Sequence, residues 1–548
     1  MKAHLATIWE SVADAIPDAI AIVQGERRVT WQAFDDRSAR LGTALETAGL
    51  DVGSKVGIFL YNSVEFLETY NATLKMRMTP FNVNYRYLDE ELLYLFDNAD
   101  AEGVVVHASL AARMANIIDR LPQLKIVVVV DDLADVSTTD ELNGLGGGTA
   151  TWIGYEAAVT AHRPAVRIER SNDDITMTYT GGTTGMPKGV ISKVGPAGTG
   201  LMVTLPPLLG LAPLSDPAQI PVMAQQLLAD GRQFTALPAP PLMHATGLGI
   251  GAVPALFLGG KVVLLVGRGL DVDELWSTVE REGVNSITIV GDPFARPMLR
   301  GLREGPPRDT SSVIAFSSSG AMFSTDIKSG LHEHIPNAFI IDFIASTEGT
   351  MGMSISTAAH PAVTGRFTPG PGVIVVAEDD RLIEAGSEEI GFVAVPGGAE
   401  GYYKDEEKTA KTFRMINGVR YTIPGDFAML DADGSIILLG RGSQCINTGG
   451  EKVYPEEVEE IIKSHDAIDD CLIFGVEDER FGQRVVGVVS RAPGSSAIVL
   501  SEVIADARTR LAAYKVPREL VEVEVVPRTA AGKADYPNAI EMFNAAPR

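Results

Sequence analysis

Short apolar runs alternate with amphipathic stretches along most of this chain, and that alternation restricts it to layered α/β architectures. The runs IVVVVDD (126–132), KVVLLVG (261–267) and SITIVG (286–291) are apolar at successive positions, as strands covered on both faces are. Between them, DVDELWSTVEREG (271–283) gathers its apolar residues on one helical face. Strands alternating with helices predict layers of helix on largely parallel sheets. The expected fold class is therefore α/β, with a large multi-layer N-terminal domain rich in parallel strands. Near Arg441 the units shorten to YPEEVEEIIKS (454–464), CLIFGV (471–476) and RVVGVVSRA (484–492), which predicts a small α+β domain. Its first helix has Pro455 early, acids in the first turn, and Val458, Ile461 and Ile462 on one face. The acidic run Glu456 to Glu460 reads as the solvated face of that helix. The boundary separates residues 1–440 from 441–548. Residues 144–149 read as a surface loop, and the Gly/Pro-rich stretch 195–217 as a loop or a pocket wall.

The charge balance narrows the partners. Across 548 residues, 46 Lys and Arg face 71 Asp and Glu, a formal net charge of −25. Such a chain has no broad basic face for nucleic acid or anionic lipid. A phosphorylated ligand must then be held by local cations and backbone N–H groups. The only cysteines, Cys445 and Cys471, form no CxxC, so a disulfide framework or structural zinc site is not expected. Both read as small buried hydrophobes in a reducing cytosol. The N-terminal residues show no signal-peptide core, and AAPR at the C-terminus is not a peroxisomal signal. The uncharged stretch 245–260 is short and interrupted by Pro254, so no membrane span and a cytoplasmic location are expected. There is no internal repeat, and a homodimer is the default assembly.

The densest chemical signal is ITMTYTGGTTGMPKG (175–189). A strand-like run ends in Gly181, Gly182, Thr183, Thr184 and Gly185, followed by Pro187, Lys188 and Gly189. Glycines let backbone N–H groups close around an anion. Thr180, Thr183 and Thr184 add hydroxyls, and Lys188 adds a cation. This chemistry suits polyphosphate, although the run does not match GxxxxGK[ST]. An ordinary Gly/Thr turn between strand and helix is the bland alternative.

Thr180 to Gly189 resembles the phosphate loop of the adenylate-forming superfamily, which holds acyl-CoA synthetases, peptide-synthetase adenylation domains and luciferases. The usual form is T-S-G-[ST]-T-G-x-P-K-G. Gly181 replaces the common serine, a variant similar to actinobacterial acyl-CoA synthetases of the sterol-side-chain type. Further segments follow in family order. LPAPPLMHATG (237–247) resembles the segment whose histidine lies beside the acyl pocket, which implies that role for His244. Ser319, Gly320 and Ala321 resemble the adenine-side loop. Ala345-Ser346-Thr347-Glu348-Gly349 resembles Y-G-x-T-E, implying that Thr347 touches the α-phosphate. Glu348 would hold Mg²⁺, with Thr184 as a second ligand. YTIPGD (421–426) resembles Y-x-x-T-G-D, placing Asp426 on the ribose hydroxyls together with Arg441. Ser443 stands at the family's hinge. Gly449, Gly450 and Lys452 stand where the pantetheine tunnel forms. LAAYKVP (511–517) and PRTAAGKADY (527–536) resemble the two C-terminal motifs. The second supplies Lys533, the lysine of the adenylation step.

The resemblance covers roughly residues 10–540. It implies an ATP-dependent acyl-CoA ligase that uses ATP, Mg²⁺ and coenzyme A, with a mobile C-terminal domain, and acts on a bulky polycyclic or long-chain carboxylic acid. Ile344 and Ala345 depart from the family's aromatic and glycine, and Asn447 stands where some members have lysine. An enzyme efficient in only one half-reaction, one that serves a carrier protein, and a silent binder of acyl or nucleotide ligands are the alternatives. Taken singly, His244 could be a core histidine, Glu348 or Lys533 a solvated side chain, and Asp426 with Arg441 a surface ion pair. A GxGxxA match at Gly247, Gly249 and Ala252 follows a Pro-rich stretch rather than a strand and is not a dinucleotide site. HExxH and GxSxG are absent.

Overall fold

The computed structural model describes residues 2–131, 148–182, 185–441, 444–448, 451–478, 482–495, 497–511, 513–529 and 532–546. Residues 144–147 of the expected surface loop lie outside them. Two compact units result. One comprises Met1–Thr288, Arg308–Ala315 and Ala399–Lys411; the other comprises Ile289–Pro307, Phe316–Gly398 and Thr412–Arg548.

The first unit contains a sheet in which Thr79–Asn82, Lys55–Phe59, Ala101–His107, Ile126–Val130 and Thr151–Gly154 run parallel. The apolar run at 126 forms its strand as expected, and every residue of Ile126–Val130 is buried. Phe59, Phe81, Phe96, Val104, Val106 and Val127 build the core beneath it. A second set of strands places Ile20–Gln24, Lys261–Leu264, Thr235–Pro238 and Ser286–Ile289 side by side in parallel. The stretch from 271 is the helix Val272–Glu282. Asp271 caps it by accepting from Glu274 N, and Gly283 ends it at φ 61°.

Of the two readings of 195–217, loop or pocket wall, the loop does not hold for its first part. Val194–Leu208 is a helix that contains Pro206 and Pro207 near its end. Proline cannot donate to the carbonyl four residues back. Met202 O accepts instead from Leu214 N at 2.9 Å, so the chain folds back over the helix end. Gly198 faces the Ala3 carbonyl so closely that a side chain would collide with it. Among the described residues, no helix is long and apolar enough to cross a membrane.

The unpaired stretch between Ala161 and Ile175 is tied down by charge. Arg170, 3% exposed, donates to both carboxylate oxygens of Glu10 at 2.7 Å and to Lys75 O at 3.0 Å. Lys75, also buried, donates to Glu10 at 2.8 Å and to Asp35.

The second unit is built differently. Its strands from Phe339 to Arg441 pair antiparallel, some across short turns, as at Ser346/Gly349 and Leu430/Ile436, and others over long separations. Beyond them, Ile468–Asp478 and Gly482–Arg491 form an antiparallel pair joined by Glu519–Val523 in parallel. The helices Pro455–Lys463, Leu500–Arg510 and Tyr536–Ala545 belong to the same small α+β region. Val458 and Ile462 are buried in its core, as the periodicity predicted. Cys471 is buried and Cys445 only partly so, contrary to the expectation that both are core residues; neither forms a disulfide.

The solvated reading of Glu456 to Glu460 is also corrected. Glu459 is buried and accepts from Ile473 N at 2.9 Å. Lys463, on the same helix and also buried, lies 3.9 Å from Glu459 and 3.3 Å from Asp470, which Arg528 grips in turn. Glu456 is half-buried, and its Oε2 is enclosed without a hydrogen-bond partner. Burial, reinforced by Glu459 and Asp426, pushes its carboxyl up to about 8. The helix thus turns acids inward at i and i+3, and Lys463 on the same helix with the Ile473 N–H makes the burial of Glu459 tolerable.

Candidate active site

The glycine-rich run is a β-hairpin. Ile175–Gly182 and Gly185–Lys193 pair antiparallel, with Thr180 opposite Lys188 and Gly182 opposite Gly185. Thr183 and Thr184 lie outside the described residues. Strand follows the glycines, not the helix of the bland alternative. Gly181, Gly182 and Gly185 thus stand at the end of this ladder, where a backbone without side chains lets N–H groups approach an anion.

The hairpin is fastened at its base by a residue the sequence did not single out. Asn82 Oδ1 accepts from Tyr179 N at 2.6 Å, while its Nδ2 donates to Tyr179 O at 3.0 Å and to Met243 O at 2.7 Å. Met243 precedes His244, so Asn82 links the glycine-rich hairpin to the histidine segment. Asn62 does similar work one turn earlier, donating to Pro240 O at 3.1 Å and accepting from Leu242 N at 2.7 Å. His244 is half-buried, and its backbone is held between Pro241 O and Leu248 N, each at 3.1 Å. Lys188 carries an acidic partner that was also missed: its Nζ lies 2.7 Å from Asp405 Oδ2. The Lys188 ammonium holds the Asp405 carboxyl below its ordinary range.

In the second unit, two expected segments meet. Ser319, at the end of Ala315–Ser319, donates to Phe343 O at 3.0 Å. Phe343 lies on the strand Phe339–Ser346 that leads into the turn at Thr347 and Glu348. Gly320 follows at φ 97°, with Ala321 half-buried beside it. Behind the turn, Asp342 pairs with Lys328 at 3.2 Å, and burial raises its carboxyl to about 6. Ala345 and Ser346 pair with Thr350 and Gly349, and Glu348 N donates to Ser346 Oγ at 3.2 Å. Gly398, at φ 83°, packs so closely that a Cβ would lie 2.5 Å from Glu348 O and 2.7 Å from Thr422 Oγ1. It therefore brings the Thr347–Glu348 turn against the segment leading to Asp426. Ile344 is buried with Met351 and Val395 in the core.

Asp426 is 7% exposed and lies directly opposite Arg441 in the ladder between Asp426–Leu430 and Ile436–Arg441. The carboxyl of Glu456 sits over Gly440, where a side chain would run into it. Ser443, Gly449 and Gly450 lie outside the described residues. Lys452 pairs with Asn447 in a short hairpin flanking the last two. Lys533 is exposed on a loop closed by Thr529, whose N donates to Lys533 O at 2.8 Å and whose Oγ1 accepts from Lys533 N at 3.2 Å.

Glu348 offers one half-buried hard oxygen donor at a fixed turn, a donor set that fits Mg²⁺ carried mainly by substrate phosphates and water. Among the described residues, no three His, Cys, Asp or Glu side chains gather as a metal cage.

The Gly/Thr/Lys hairpin lies in the first unit, and the Thr-Glu turn packed beside a ladder-end aspartate lies in the second. The chain belongs to the AMP-binding enzyme family: that family's model matches residues 9–403, and the model of the AMP-binding enzyme C-terminal domain matches residues 457–533. Among its relatives is the 3-oxocholest-4-en-26-oate–CoA ligase of Rhodococcus rhodochrous, 39% identical over 98% of this chain and 95% of that one. The medium/long-chain-fatty-acid–CoA/3-oxocholest-4-en-26-oate–CoA ligase of Mycobacterium marinum is 37% identical over 99% of this chain and 97% of its own. The crystal structure of the anthranilate CoA ligase AuaEII with anthranoyl-AMP shares the fold, with a TM-score of 0.81 at 20% identity, covering 100% of this chain and 99% of that one.

Proposed function

We propose that this chain is an AMP-forming acid–thiol ligase that activates a bulky sterol-type or fatty carboxylic acid and transfers it to coenzyme A. A carboxylate is a poor acyl donor because oxide would have to leave. Attack of its oxygen on the α-phosphorus of ATP forms the acyl-adenylate and breaks the bond to pyrophosphate. The CoA thiol then attacks the acyl carbonyl, and AMP departs with the old carboxylate oxygen.

The residues divide that work. The hairpin of Thr180, Gly181, Gly182, Thr183, Thr184, Gly185 and Lys188 receives the polyphosphate. Ser319, Gly320, Ala321, Ala345 and Ser346 line the adenine side, and Asp426 with Arg441 takes the ribose. Thr347 contacts the α-phosphate, and His244 borders the acid. Glu348 and Thr184 would hold Mg²⁺, which when bound would supply charge neutralisation for the anionic reactants. Lys533 bridges the carboxylate and α-phosphate during the first step. Residues 441–548 turn about Ser443 between steps, so that Gly449, Gly450 and Lys452 come to flank the pantetheine chain. The work is done in the cytoplasm.

The observation that carries this reading is the Gly/Thr/Lys hairpin in a chain that, over 98% of its length, is 39% identical to a sterol-acid CoA ligase. A panel of carboxylic acids tests it, including 3-oxocholest-4-en-26-oate and medium- and long-chain fatty acids, each with ATP, Mg²⁺ and CoA. AMP and acyl-CoA are read separately. Equal release of both from at least one apolar acid is expected; AMP-linked product with no thioester overturns the ligase reading. Burial of Ile344 in the core favours a second reading, in which adenine is held weakly and thioesterification of a supplied adenylate outpaces adenylation.

A further inference from the structure

Lys188 is the cation of the phosphate hairpin, yet its ammonium already has an anion. Asp405 lies 2.7 Å away, and the two side chains are 34% and 28% exposed. This is not a chance surface pair. The segment Ala399–Lys411 reaches the hairpin as an added strand: Gly401 and Tyr402 pair with Ile191 and Val190. Tyr403 N donates to Gly189 O at 2.8 Å, next to Lys188. Two residues on, Asp405 begins a short helix, accepting from Lys408 N at 3.0 Å through its carboxylate and from Thr409 N at 3.0 Å through its carbonyl. Thr409 Oγ1 donates to that carbonyl at 2.7 Å and accepts from Tyr402 N at 2.9 Å. The carboxylate is thus fixed by the strand that extends the phosphate hairpin.

We infer that Asp405 is a positioning residue, a built-in counter-ion that holds Lys188 while the site is empty and must yield it to an incoming polyphosphate. The inference rests on the polyphosphate role proposed for the hairpin. A carboxylate and a pyrophosphate compete for one ammonium, so every polyphosphate is bound against the cost of breaking the Lys188–Asp405 pair. That competition weakens pyrophosphate as well as ATP, and so favours departure of the product that would otherwise reverse the first step. A bare lysine would bind both more tightly and release the product more slowly.

The test uses inorganic pyrophosphate and calorimetry on the full chain, which needs no turnover. Asp405→Asn keeps a side-chain acceptor for Lys408 N but removes the charge. It is expected to bind pyrophosphate about three- to tenfold more tightly than wild type. Asp405→Glu should bind as wild type does, and in the Lys188→Ala background Asp405→Asn should change nothing. In turnover, Asp405→Asn should lower KM for ATP without raising kcat. A merely structural aspartate would give weaker or unchanged pyrophosphate binding, and that result overturns the inference; so does absence of measurable pyrophosphate binding by all the proteins. Should Asp405→Asn fail to fold, carboxyl NMR of wild type decides: pyrophosphate should raise the titration point of Asp405, and no movement overturns the inference. A wild type that binds pyrophosphate as expected yet makes no acyl-CoA would remove the ligase reading and leave this one standing.

Discussion

At the scale of single residues, the chemistry divides into groups that wait and groups that are held. Lys533 is exposed on a loop whose backbone Thr529 closes. A lysine that acts in the first half-reaction alone should be dispensable in the second. Lys533→Ala is therefore expected to lose about 10²- to 10³-fold in ATP-dependent adenylation. Thioester formation from a supplied acyl-adenylate should stay within severalfold of wild type. Separate assays of the two half-reactions check this, and equal losses in both would remove the assigned role. The residues that were legible in the sequence are those whose chemistry is compressed into a short run, such as Thr180 to Lys188 or Thr347 with Glu348. Asn82, Gly398 and Asp405 were not. Each is a common residue type whose use depends on which distant strand lies alongside it. Asn82 matters because Tyr179 and Met243 flank it, and Asp405 because its segment extends the hairpin.

At the scale of elements, periodicity worked where burial is apolar and failed where it is ionic. Ile126–Val130 and Val272–Glu282 announced themselves by hydrophobic pattern. The helix Pro455–Lys463 announced its apolar face but concealed its acidic one, because Glu459 is buried only by virtue of Lys463 beside it and the backbone N–H of Ile473. Val194–Leu208 stayed open between loop and pocket wall because Gly and Pro crowd it, yet its prolines lie in the final turn, where a later backbone N–H takes over the carbonyl left open. Glu456 gives this scale its pH signature. Its carboxyl, raised to about 8 from an ordinary value near 4.5, is neutral in the folded chain and charged in the unfolded one between those values. A raised carboxyl contributes stability that is complete below the unfolded value and is lost as pH climbs through the folded one. Glu456→Gln keeps the neutral shape. It should be nearly neutral at pH 5 and more stable than wild type by about 1 to 3 kcal/mol at pH 8. Denaturant unfolding at both pH values checks this, and an equal effect at the two would contradict it.

At the scale of the whole chain, the long unpaired stretch between Ala161 and Ile175 behaves as a charged seam. Arg170 is inserted among Glu10 and the Lys75 carbonyl, whereas Arg167, three residues earlier, has a side chain 47% exposed. Removing one member of such a buried group strands the others, at a cost of about 3 to 5 kcal/mol. Trypsin makes the difference visible. In a native digest the peptide bond after Arg167 should be nicked, while the bond after Arg170 should survive until the first unit opens. Glu10→Gln should expose the second site without changing the first. The practical consequence is that a nicked chain would stay assembled, its two fragments held by shared sheet ladders and core as well as by the Arg170–Glu10 pair.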